Sequence, residues 1–194
     1  MKKVRISFNS PVVLGFISIC VLVTFLGFLS SGKITDFLFT TYHSSPKNLL
    51  TYVRFFTHIF GHRDWDHLLK NCVYLLLLGP MLEEKYGSKQ IFKTIALTAV
   101  VTAFINYNFF DEVSLSGASG VVFAFILLAS VTEFKEGEIP VTFIMITLIF
   151  VGGEIYKGIT IDDNVSNMSH IAGGLIGGAT GYMTNRMPKE EKKE

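Results

Sequence analysis

Ser119 sits in the stretch from Ser114 to Ala124, where the small-residue turn Gly117-Ala118-Ser119-Gly120 runs into an apolar segment with no charge before Glu133. A serine between glycines at the head of a buried helix lies close to free backbone N–H groups, so it can hold a nucleophile beside an anion site. The same small residues can equally make a tight contact between transmembrane helices. His170 opens a second glycine-rich stretch, Ser169 to Gly178, in which Gly173, Gly177 and Gly181 form a stripe at spacing four with Gly174 and Gly178 beside it. If that stripe meets the small face of Gly117, Gly120 and Ala124, Ser119 and His170 come within hydrogen-bonding reach. Serine is a poor nucleophile until a base takes its proton. A neutral histidine can do so, and can then pass the proton to a leaving amine.

An oxyanion needs donors held in place. His67 and Asn71, four apart and on one helix face, could supply them together with the Ser119 backbone N–H. The alternative for that pair is ordinary hydrogen bonding between helices. Phe123, one turn after Ser119, is positioned either to stack on the imidazole or simply to pack in the core. No carboxylate is expected near Ser119 or His170 at their inferred depth, because Asp162 and Asp163 belong to the preceding loop. A serine–histidine dyad is therefore expected rather than a triad. His58, His62, His67 and His170 also admit a haem or divalent-metal reading, although no Glu follows His58 to complete a zinc-protease pattern.

The elements that must carry these residues are apolar. Of 194 residues 49% are hydrophobic and 17% charged, against about 25% charged in an ordinary soluble domain. Mean hydropathy is +0.45. Clustered charges separated by long uncharged runs indicate an all-α integral membrane protein. Six spans are expected, near 11–29, 66–82, 91–109, 117–132, 139–151 (continuing toward Tyr156) and 168–183, in a single domain covering 1–194. The first is longer than a signal-peptide core and reads as a membrane helix. Gly152-Gly153-Glu154 is expected to weaken the end of the fifth. The region from Gly32 to Asp66 interleaves aromatic and basic residues, as an ordered loop in the membrane interface would. The charged tail 185–194 reads as disordered. Cys20 and Cys72 read as buried free thiols.

The fourth run, Gly117 to Thr132, has 16 residues. Its length of about 24 Å falls short of a hydrocarbon core of roughly 30 Å. Ser119 is thus expected a few Å below the membrane surface, with the preceding loop shielded by protein. Lys2, Lys3, Arg5, Lys85, Lys89, Lys93, Lys135, Arg186, Lys189, Lys192 and Lys193 fall on one side. The positive-inside rule puts that side, with the N-terminal segment 1–10 and the tail, in the cytoplasm. The net charge of +1 points to no nucleic-acid partner, and there is no phosphate loop or redox motif.

Taken together, these residues resemble the rhomboid intramembrane serine proteases. Gly117-Ala118-Ser119-Gly120 with Phe123 looks like their Gly-x-Ser-Gly motif. His67-x-x-x-Asn71 looks like their second-helix motif, and His170 to Gly177 like their sixth. Arg54 through His67 is similar to the end of their first loop, but Val53 stands where the family often has Trp, and Phe123 where it often has Tyr. The resemblance implies a six-helix rhomboid-like bundle with Ser119 as nucleophile and His170 as base. It also implies an oxyanion hole of His67, Asn71 and the Ser119 N–H, with Phe123 supporting the ring and Gly173 and Gly177 allowing helix contact. It implies no metal or cofactor, a lipid bilayer setting and transmembrane protein substrates; the absence of a large soluble appendage is consistent with a minimal prokaryotic form, expected in the plasma membrane. Relatives that lost catalytic residues bind membrane proteins instead; Ser119 and His170 are both retained.

Overall fold

Helix α1 (Pro11–Leu29) starts at a proline, and the buried carboxylate of Glu83 caps its first turn. The Val12 and Val13 backbone N–H groups donate to the two Glu83 oxygens, each at 3.0 Å. Ser88 donates to the same carboxylate at 2.6 Å. Helix N-terminal amides favour a negative group, so these contacts tie α1 to the far end of the helix bearing Glu83. Val13, Phe16, Cys20, Val23 and Gly27 form the buried stripe of α1, whereas Leu22, Phe25, Phe28 and Leu29 remain exposed. An apolar helix with one face in protein and the other uncovered suits a lipid boundary.

The computed structural model describes residues 7–132, 138–160 and 167–186. Within them follow α2 (Lys33–Leu38), α3 (Leu49–Thr57), a short 3-10 turn (His58–Phe60), α4 (Trp65–Tyr86), α5 (Ser88–Phe109), α6 (Ser119–Ser130), α7 (Val141–Thr160) and α8 (Asn167–Arg186). The basic residues Lys2, Lys3 and Arg5, the charged exit at Glu133, the loop aspartates Asp162 and Asp163, and the tail from residue 187 lie outside the described residues. Eight α-helices thus appear among the described residues where six spans were expected, because the loop from Gly32 to Asp66 folds into α2, α3 and the 3-10 turn. Among the described residues three helices, α1, α5 and α7, are long and apolar enough to cross a membrane; α6 is apolar but shorter.

Arg54 organises the loop. Its buried guanidinium donates through Nε to the Phe37 carbonyl at 2.9 Å and lies 4.4 Å from the centre of the Tyr42 ring. Planar arginine can donate and stack at once.

Helix α6 occupies the centre, with Gly120, Val121, Val122 and the run Ala124 to Leu128 buried. A helix buried on every side must be apolar all round. Helix α8 lies directly against it. A Cβ on Gly173 would strike the Gly120 carbonyl, and one on Gly177 would strike the Ala124 carbonyl. These two backbones touch as expected of small faces. Helix α7 differs from its expected extent: it continues through Gly152-Gly153 to Thr160, and its one buried residue is Glu154. The two glycines lower the local helix propensity, by about 1 kcal/mol each, without ending the helix. Cys20 and Cys72 are free and buried.

Candidate active site

The segment before α6 is fastened from several directions. Thr41 and Leu115 exchange backbone hydrogen bonds at 2.9 and 2.8 Å, and Asn106 on α5 donates to the Val113 carbonyl at 2.8 Å. The Gly117 N–H donates to the His58 carbonyl at 2.9 Å, and the Ala118 N–H to His62 Nε2 at 3.3 Å. The polar backbone of this loop therefore finds partners within the protein. Gly117 has φ +119°, and a Cβ there would lie 2.7 Å from His67 Cε1. Glycine is thus required for conformation and for space. Gly117 packs against α4 rather than making the expected contact with α8. Gly120 does face α8.

Ser119 begins α6, and its N–H precedes the helical ladder. Across the α6–α8 contact, His170 Nε2 lies 2.8 Å from Ser119 Oγ. The Phe123 ring stacks on the imidazole with centroids 4.7 Å apart. Phe150 of α7 meets the other ring, Phe123, edge on at 5.7 Å. The side chain of His170 is 14% exposed, so the pair is sheltered yet reachable.

One expectation is overturned. Glu154 Oε2 lies 2.7 Å from His170 Nδ1, so a carboxylate does adjoin the histidine. Lys157 Nζ pairs with the other oxygen at 2.9 Å. A lone carboxylate within an apolar run was the available signal, since such residues are expensive in a membrane and mark function. Reading Gly152-Gly153 as a helix end obscured it.

His67 and Asn71 stand on the first turns of α4, which Asp64 caps by accepting from the His67 N–H at 2.7 Å. Asn71 is buried and gives one of its two amide hydrogens to the His67 carbonyl at 3.0 Å. The His67 ring lies over Gly117 and meets His62 edge on, with centroids 5.1 Å apart. His62 was read only as a possible metal ligand; here it is a scaffold residue. Its Nδ1–H donates to the Phe60 carbonyl at 3.2 Å, which leaves Nε2 to accept from Ala118. Burial, reinforced by neighbouring His67, pushes the His62 pKa down to about 4, so the ring stays neutral. His58 is likewise occupied: its ring bonds the Arg54 carbonyl and Thr102 Oγ1, at 3.2 and 3.3 Å.

With this geometry established, the similarity to known proteins can be placed. The Rhomboid domain family matches residues 50–187, which include every residue just described apart from the Thr41 anchor. The chain belongs to the rhomboid family, whose members are membrane-embedded. It is 24% identical to Rhomboid-like protein 11, chloroplastic, of Arabidopsis thaliana over 76% of this chain and 56% of that protein. It is 31% identical to Rhomboid-related protein 1 of Caenorhabditis elegans over 67% of this chain and 39% of that protein. It is 22% identical to Rhomboid protease GlpG of Haemophilus influenzae over 70% of this chain and 71% of that protein. The match thus covers about half the length of the first two relatives or less.

Proposed function

We propose that this chain is an intramembrane serine endopeptidase that cleaves membrane-anchored proteins within or near their transmembrane segments. The observation carrying this reading is the 2.8 Å contact between His170 Nε2 and Ser119 Oγ at the head of a central helix. Relatives named as rhomboid proteases support it. In this reading α1, α4, α5, α6, α7 and α8 are six spans, and both termini are cytoplasmic. Helix α6, with 12 residues, is about 18 Å long and cannot cross the bilayer alone. Ser119 would then lie below the outer surface, where a transmembrane substrate presents its chain.

The chemistry follows from the named atoms. Ser119 Oγ attacks the scissile carbonyl carbon while its proton passes to His170 Nε2. The carbonyl electron pair moves onto oxygen, where the Ser119 N–H, Asn71 and His67 are the available donors. Collapse breaks the C–N bond, and His170 gives its proton to the departing amine. Water then attacks the acyl–serine ester, again losing a proton to His170. The ester C–O bond breaks, the carboxyl product leaves and Ser119 recovers its proton. The step needs only water as co-reactant.

The test is cleavage of a quenched fluorogenic transmembrane peptide by the purified full chain in proteoliposomes. Ser119→Ala and His170→Ala are each expected to lower turnover by about 10^3-fold or more. Equal turnover by Ser119→Ala and the unaltered protein would sink the serine mechanism. Absence of both cleavage and Ser119 labelling by a fluorophosphonate would point instead to a non-catalytic binder of membrane proteins.

A further inference from the structure

Glu154 is the one buried residue of α7, and neither the serine nor the histidine chemistry above requires it. A carboxylate in an apolar helix is costly and persists where it is paired. Its two oxygens are both engaged, Oε1 with Lys157 Nζ at 2.9 Å and Oε2 with His170 Nδ1 at 2.7 Å. An ionised carboxylate can only accept, so the proton in the second contact belongs to Nδ1. A neutral imidazole has one N–H. With Nδ1 protonated, Nε2 carries the lone pair, and Nε2 is the atom 2.8 Å from Ser119 Oγ. The opposite tautomer would turn an N–H toward the serine hydroxyl and leave no base.

We infer that Glu154 is a positioning residue that fixes the tautomer and rotation of His170, making the site a Ser119–His170–Glu154 line. The inference rests on the reading of Ser119 and His170 as nucleophile and base. Phe123 restrains the plane of the ring, but stacking leaves rotation within that plane free. The contact at Nδ1 fixes it. When the serine proton reaches Nε2, the imidazolium lies between the developing oxyanion and the Glu154 carboxylate. Glu154 stabilises that charge without taking the proton. Lys157, whose side chain is half exposed, holds the second oxygen and so keeps the carboxylate from swinging away.

The test compares the full chain with Glu154→Gln and Glu154→Asp in proteoliposomes, using the same quenched peptide. Glutamine matches glutamate in size and still hydrogen-bonds, but its amide can donate to Nδ1 and favour the wrong tautomer. Glu154→Gln is expected to lower kcat about 100-fold with KM and Tm unchanged, and Glu154→Asp to recover part of that loss. A purely packing role would leave Glu154→Gln near the unaltered protein. Nitrogen NMR of 15N-histidine protein gives an independent readout: His170 is expected to carry its proton on Nδ1, and on Nε2 in Glu154→Gln. That measurement decides the role of Glu154 even in a preparation that cleaves nothing. A His170 protonated on Nε2 in the unaltered protein, or a Glu154→Gln kcat within about twofold of it, overturns the inference. Ser119→Ala is assayed in parallel. If it still cleaves, the serine reading fails while the tautomer continues to report on Glu154.

Discussion

Phe123 and His170 lie ring on ring, 4.7 Å between centroids and 6° from parallel. The two residues come from different helices, so the stack converts the α6–α8 packing into a fixed plane for the imidazole. An aromatic pair contributes about 0.5–1.5 kcal/mol beyond burial, so Phe123→Leu is expected to lower kcat roughly 2- to 10-fold. Phe123→Tyr keeps the stack and is expected to stay near the unaltered rate. Peptide turnover measures both. A leucine variant as fast as the parent would show that the stack has no part in the reaction.

Asn71 is buried one turn after His67 on α4, with one amide hydrogen bonded to the His67 carbonyl. If its second hydrogen serves the oxyanion, Asn71→Ala lowers kcat on the order of 10^2-fold while KM changes little. The visible bond is only one turn of α4, so thermal unfolding should change modestly. A fall in Tm that accounts for all the lost activity would argue for a structural asparagine.

The contact between α6 and α8 has almost no slack. A Cβ at Gly177 collides with backbone, the Ala124 carbonyl, which cannot rotate aside as a side chain can. Gly177→Ala is expected to destabilise by about 3 kcal/mol or more and to abolish turnover by separating Ser119 from His170. Gly178 has nothing within 4 Å, so Gly178→Ala is expected to fall within about 0.5 kcal/mol of the parent. Thermal unfolding in detergent distinguishes them, and equal Tm values would contradict the packing described.

The loop holding the site carries a pH dependence. His62 ordinarily titrates at 6.5 but here is pushed to about 4 by burial, then by His67, with Asp64 acting in the opposite sense. The unfolded loop therefore binds the proton more readily than the folded one. The stabilisation is fully present above pH 6.5 and is lost as pH falls toward 4, up to on the order of 3 kcal/mol. His58, lowered to about 4 chiefly by burial, adds in the same direction. Tm measured across this range should fall with acidification, and His62→Gln, which can still accept from Ala118, should make the slope shallower. An unchanged slope in His62→Gln would remove His62 as its source.

The sequence carried much of this arrangement because membrane depth makes each polar residue conspicuous. The first helix was legible, expected near 11–29 and found at Pro11–Leu29, since nothing interrupts its apolar run. The approach of Ser119 to His170 was legible because small residues at helical spacing marked the faces by which two helices could meet, whereas stacking by Phe123 stood level with plain core packing. The contact partner of Gly117 was not, since a residue in a loop has no face. It meets His67 instead of α8. Glu154 was hidden for a different reason. Two glycines beside it signalled the end of a helix, whereas α7 runs through them to Thr160 and brings the carboxylate to a histidine on another helix. A tertiary contact is invisible to local propensity. The interior of the first loop was equally illegible, because Arg54 joins parts of the chain far apart in sequence.

Helix α7 is moored to the bundle in an unusual way. Ile144, Met145, Leu148, Ile149, Ile155 and Ile159 point outward, Phe143, Ile146, Phe150 and Val151 pack partly against the core, and Glu154 is the one residue of the helix that is buried. If Ser119 and His170 act as proposed, the orientation of the base is held by a side chain from a third helix, so any change that shifts α7 relative to α8 should be felt in turnover even where Ser119 itself is undisturbed.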